Sequence, residues 1–240
     1  MSSRVFDVSE NESAKKQQPG FFGNLIFNIA IPVIIMTYAS SDEYLGPAWS
    51  IVVALAFPLT YGLLELKKTK KVNMFSILGI VSVLLTGGIS LLKLPAEYMA
   101  IKEAAIPAAI GLAVLITQFT QKPLVKALIL NDQLINWDKL NRRLEEKQAV
   151  DIFNAKVAVS SYIVASSFFL SSTLNYALAK WILVSEPGTS AYTEEIGRMT
   201  ALSYPVIVIP SMVLLVTALI YLFRQISKVT GDPVEDFMQQ

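Results

Sequence analysis

Lys102 and Glu103 stand side by side near the start of an apolar run, with Pro107 one turn further on. A helix proline has no N–H to give to the carbonyl four residues earlier, here that of Glu103, so a charge and a freed backbone acceptor share one turn. Asn28-Ile-Ala-Ile-Pro32 repeats the arrangement of Glu103-Ala-Ala-Ile-Pro107, and Asn24 lies one turn before Asn28 on the same face. Such a set could bind a polar group or carry an ion at a break in a membrane helix. The side chains for most other chemistry are missing. The chain has no His and no Cys, which removes imidazole and thiolate nucleophiles, serine triads, disulfides, and zinc, haem or iron–sulfur sites built on those ligands. Neither a metal, a cofactor nor an enzymatic activity is expected, and no residue is assigned as catalytic.

The elements that position these residues follow from hydropathy. With 53% hydrophobic and 16% charged residues, against about 25% charged in soluble domains, the 240-residue chain reads as an all-α polytopic membrane protein. Apolar runs of about the 20 residues needed to cross a bilayer fall at about 21–40, 47–66, 72–92, 98–119, 156–184 and 200–223, giving six spans. Residues 1–20 read as a disordered tail, 185–198 as a polar loop and 225–240 as a polar tail. Within 120–155, Leu130, Leu134, Trp137, Leu140 and Leu144 recur at helical spacing between charges, predicting an amphipathic surface helix at about 124–145. Pro32, Pro58 and Pro107 are expected to break or kink their spans, as are Pro205 and Pro210 in the last.

Lys and Arg are segregated. Of the 20, 16 lie in the N-terminal tail, the 67–71 loop, the 120–156 segment and the C-terminus, so both termini are expected in the cytoplasm. Lys67, Lys68, Lys70, Lys71, Lys122, Lys126, Arg142 and Arg143 then face anionic lipid headgroups, which argues against nucleic acid as a partner. Lys102 and Glu103 sit about a turn inside the opposite interface. Neighbouring helix residues point about 100° apart, so each is expected to need its own partner. Two readings remain open at this point: Lys102 snorkels outward while Glu103 forms a structural ion pair, or the two line an outward-facing polar cavity. The serines of the fifth span and Gly79, Ser82, Thr86 and Ser90 of the third read as helix-packing residues.

Across Ile101 to Lys126, and again at Trp137, Leu140 and Asn141, the chain resembles the intracellular septation protein A family of bacterial inner-membrane proteins. The resemblance rests on the proline-bearing fourth span, its exit through Gln118-Phe119 and Lys122-Pro123-Leu124-Val125-Lys126, and Leu174-Asn175-Tyr176 and Tyr221-Leu222-Phe223-Arg224 further on. It implies a non-catalytic role in cell-envelope maintenance or septation. The implied setting is the inner membrane, with lipids and envelope or division membrane proteins as partners, and further copies of the chain as an open alternative. The competing reading is a small transporter or lipid-handling protein with a polar site at Lys102, Glu103, Asn24 and Asn28.

Overall fold

The computed structural model describes residues 26–69, 74–120, 123–129 and 134–239. Asn24, Lys70, Lys71, Lys122 and the 1–20 tail lie outside them. The described residues are helical and include no β-strand, only an isolated bridge between Ile135 and Met238. In chain order the helices are α1 (Ile26–Tyr38), α2 (Gly46–Thr69), α3 (Met74–Leu91), α4 (Ala96–Thr117), α5 (Leu124–Ile129), α6 (Trp137–Glu146), α7 (Val150–Ile182) and α8 (Ser190–Thr230), followed by a 3₁₀ turn at Val234–Phe237. Gly46–Leu64 in α2, and α4, α7 and α8, are long and apolar enough to cross a membrane, while Ile26–Tyr38 and Ile77–Leu91 are apolar but shorter. Ile34, Ile101, Leu112, Ile209 and Val213 each expose more than half of their surface outward. An apolar exterior of this extent suits lipid rather than water.

The 33-residue α7 is the axis of the bundle. At about 1.5 Å per residue it runs about 50 Å, well beyond an approximately 30 Å hydrocarbon layer. It packs along α4 on one side and along the second half of α8 on the other. Its serines make those contacts close, as the sequence suggested: Ser172 Oγ donates to Ala104 O (2.8 Å) and Ser167 Oγ to Ser211 O (2.7 Å). Each small hydroxyl both permits backbone approach and ties one helix to the next. At the other edge α1 packs on α2 and on the first half of α8. There Gly197 leaves no room for a side chain, since a Cβ at that position would stand 3.0 Å from Met36 Cβ.

Three expectations need correction. The 185–198 segment is not a loop throughout: Thr189 caps a helix from Ser190, its Oγ1 accepting from Tyr192 N (3.2 Å), and the helix continues to Thr230. The driving force is burial of Tyr192, Ile196 and Met199, one turn apart along one face. Glu195 is retained because its carboxylate accepts from Val184 N, Ser185 N (both 3.0 Å) and Ser185 Oγ (2.7 Å), closing the preceding loop.

Second, prolines do not break α2 or α4, which run through Pro58 and Pro107 without interruption. Pro32 does mark a change. A π-helical turn at Ile26–Ala30 gives way to α-helix at Ile31, one residue before it, and the same register recurs at Tyr204–Val208 before Pro210. A wider turn accommodates the carbonyl that the proline ring would otherwise strike. The two sequence-alike turns at Asn28–Pro32 and Glu103–Pro107 therefore have different backbones.

Third, the 124–145 stretch is two helices, α5 and α6, and residues 231–239 are folded. Gly231, with φ +79°, stops α8 in the left-handed conformation. The chain then turns back along α6: Asn136 N donates to Phe237 O (2.7 Å) and Gln239 N to Leu134 O (3.0 Å). Leu140 and Leu144, the expected lipid-facing stripe of the amphipathic helix, are buried with Phe237, Phe153 and Ile226. The apolar face of α6 thus covers protein, forming a cap over the ends of α7 and α8.

Candidate functional site

The Lys102–Glu103 pair is carried by α4 and met by Thr86 of α3. Lys102 is 7% exposed. Its Nζ donates to Thr86 Oγ1 of α3 at 2.7 Å and to Glu103 Oε1 at 2.6 Å. Thr86 Oγ1 passes its own proton to Ser82 O (3.0 Å). Adjacent side chains on a helix do reach each other here, contrary to the 100° expectation, because the four-carbon lysine stem swings around its own helix. Lys102 does not snorkel. Its ammonium turns inward, where the hydroxyl of Thr86 and the carboxylate of Glu103 together replace water. Thr86 was read from sequence as a packing residue; its spacing with Ser82 and Ser90 on one face of α3 was the only signal of this role.

Of the other half of the sequence-predicted polar site, Asn24 lies outside the described residues. Asn28 lies in the π turn of α1, which packs on α2 and α8, whereas α4 packs on α7 and α3. α1 and α4 thus pack on different neighbours. Among the described residues no group of three or more acidic, His or Cys side chains could hold a metal. Lys180, on the same side of the bundle, pairs with Glu97 (3.2 Å) in solvent, where such a bridge contributes little.

At the basic end the charges are largely turned onto protein. Lys126 Nζ lies 5.6 Å over Trp137 and 5.7 Å over Phe153, and donates to Asn154 Oδ1 (3.3 Å). Burial against those rings pushes its ammonium below the ordinary lysine pKa. Arg143 grips Asp232 with two parallel hydrogen bonds, Nε to Oδ2 and Nη2 to Oδ1 (3.1 Å), and donates to Glu146 (3.0 Å) through Nη1. Both side chains are thus engaged by protein groups. Lys67 and Arg142 are exposed. A cleft of about 500 Å³ between α6 and the C-terminal turn carries Lys139, Arg142, Arg143, Asp232 and Asp236.

The Arg143 bond holds the Asp232 carboxyl below its ordinary value of 3.8. The folded state therefore binds a proton less readily than the unfolded one, and the contribution is complete above that value and lost as pH falls below it through the lower folded-state value. Protease protection of the 231–239 segment is expected to hold from neutral pH to about pH 5 and decline below about pH 4. Asp232→Asn should weaken protection at neutral pH and flatten the acid limb; an unchanged limb would assign it to other groups.

The fold and site define an all-helical protein with, among the described residues, four helices long and apolar enough to span a membrane and a buried, internally paired charge in one of them. Compared with protein-family models, curated proteins and solved structures, the chain matched none.

Proposed function

We propose that the chain crosses a bacterial cytoplasmic membrane six times, with both termini inside, and supports envelope maintenance or septation by holding membrane-protein partners, without catalysis. The carrying observation is the closed Lys102 site: its ammonium is taken by Thr86 and Glu103, leaving a structural pair in place of a substrate-binding charge. Ile26–Tyr38 and Ile77–Leu91 are shorter, but each falls within one of the six apolar runs read from the sequence, at about 21–40 and 72–92. The folded cap at the basic end, with its cleft of mixed charge, is the surface best suited to a protein partner. A transporter reading requires Asn28 and Glu103 in one cavity, and their helices pack on different neighbours.

Single cysteines and a photo-crosslinker test this in intact cells. Asp42→Cys and Glu186→Cys are expected to react with an impermeant maleimide from outside, and Glu145→Cys only after permeabilisation; the reverse pattern overturns the orientation. A crosslinking residue in place of Arg142 should capture envelope or division membrane proteins. Capture of none counts against the partner role.

A further inference from the structure

We propose that the cleft where the α1–α2 turn, the end of α3 and the 185–189 loop meet binds the phosphodiester of a phospholipid headgroup, with Ser90 and Lys93 as its phosphate contacts. The inference rests on the membrane-spanning reading above and concerns a site separate from the Lys102 pair. The cleft holds about 280 Å³ and is formed by three chain segments, which contribute Trp49, Ile51, Ser90, Lys93 and Gly188 among others.

Ser90 is the first argument. It is 2% exposed, and its hydroxyl has no hydrogen-bond partner. One turn earlier on α3, Thr86 donates back to its own helix at Ser82 O, so the same local solution is unused at Ser90. A buried hydroxyl lacking any partner is unfavourable, and an acceptor entering the cleft would satisfy it.

Lys93 is the second. It stops α3 with φ +53°, a left-handed position that glycine normally fills. Its stem lies across Gly188: a Cβ there would stand 2.7 Å from Lys93 Cδ and Cε. Gly188 itself has φ +88°, so two unusual backbone positions cooperate to lay this lysine along the cleft. Lys93 has no carboxylate partner among the described residues. A cation laid along the cleft that also holds an unpartnered buried hydroxyl is suited to an oxyanion.

The surroundings select a lipid. Leu45, Trp49 and Leu91 at the mouth are 41%, 66% and 44% exposed, an apolar lip along which acyl chains can lie. Asp42 Oδ1 stands 3.5 Å from where a Gly46 Cβ would be. Its charge repels the dianion of free phosphate more than the single charge of a phosphodiester.

The full-length chain, purified in dodecyl maltoside and supplied with dioleoyl phosphatidylethanolamine, is to be examined by native mass spectrometry, with inorganic phosphate as competitor. One lipid per chain is expected to be retained. Ser90→Ala and Lys93→Ala should each cut retention about tenfold, the size of a lost charge-assisted hydrogen bond. Gly188→Ala should do the same by displacing the lysine stem, while Lys93→Arg keeps the lipid and Lys180→Ala changes nothing. Should Lys93→Ala fail to fold, the near-isosteric Ser90→Ala decides. Retention unaffected by both Ser90→Ala and Lys93→Ala overturns the site, and millimolar phosphate displacing the lipid at no energetic disadvantage overturns the lipid assignment. A chain that remains in carbonate-washed membranes but retains lipid in the Ser90→Ala and Lys93→Ala variants sinks this inference alone. Release by carbonate would sink the membrane reading with it.

Discussion

Glu103→Gln is expected to destabilise the detergent-solubilised protein by about 2–3 kcal/mol, somewhat less than the roughly 3–5 kcal/mol of fully buried pairs. Glu103 keeps 25% of its side chain exposed, which moderates the effect. The substitution removes the negative charge but leaves Lys102, 7% exposed, charged in an apolar helix, with Thr86 as its remaining strong partner. Lys102→Met should be milder, since a thioether of similar length fills the volume and the partly exposed carboxylate can reach water. The double variant Lys102→Met/Glu103→Gln should recover most of the loss. Thermal unfolding of the two single variants, the double variant and the parent gives a cycle whose coupling reports the pair. Additive losses would mean that the two groups do not interact.

Phe237→Ala is expected to cost about 3–5 kcal/mol locally, the usual range for deleting a buried aromatic ring. Phe237 is 2% exposed, among Leu140, Leu144 and Ile226. Its carbonyl also takes Asn136 N, and Lys139 Nζ lies 5.9 Å over its ring. Because the segment contributes few other buried side chains, its loss should free the entire 231–239 return and expose the α6 stripe. Hydrogen exchange should then rise in 134–147 and 231–239 and remain slow in α4 and α7. Exchange confined to residues adjacent to position 237 would mean that the cap is held by its ion pairs.

The long apolar helices were legible because one requirement, a stretch apolar on nearly every side, writes itself into every turn. Most of the positional errors arose where protein rather than lipid covers an apolar stripe. Leu140 and Leu144 have the spacing of a membrane-surface helix, and nothing within 124–145 reveals that Phe237, nearly a hundred positions away, closes over them. Tyr192, Ile196 and Met199 carry a helical period inside a segment whose Pro, Gly, Ser and Glu residues read as a loop. That period was the available signal, and Glu195 as a loop clamp was not predictable without the fold. Lys102 and Glu103 were conspicuous by charge alone. What sequence spacing misjudged was reach, since a fixed angle between Cβ directions says little about a lysine with four rotatable methylenes. The likeness between Asn28–Pro32 and Glu103–Pro107 misled for a related reason: a proline removes one hydrogen bond but does not dictate whether the turn widens.

The central claim is that Lys102 and Glu103 neutralise each other within the bundle and do not handle a substrate. Its most direct test is complementation by Lys102→Met/Glu103→Gln in cells lacking the chain, with membrane abundance measured in parallel. The double variant should accumulate near the parental level and restore normal envelope growth and division. Parental abundance without restored function would contradict the structural role and return Glu103 to the list of functional groups.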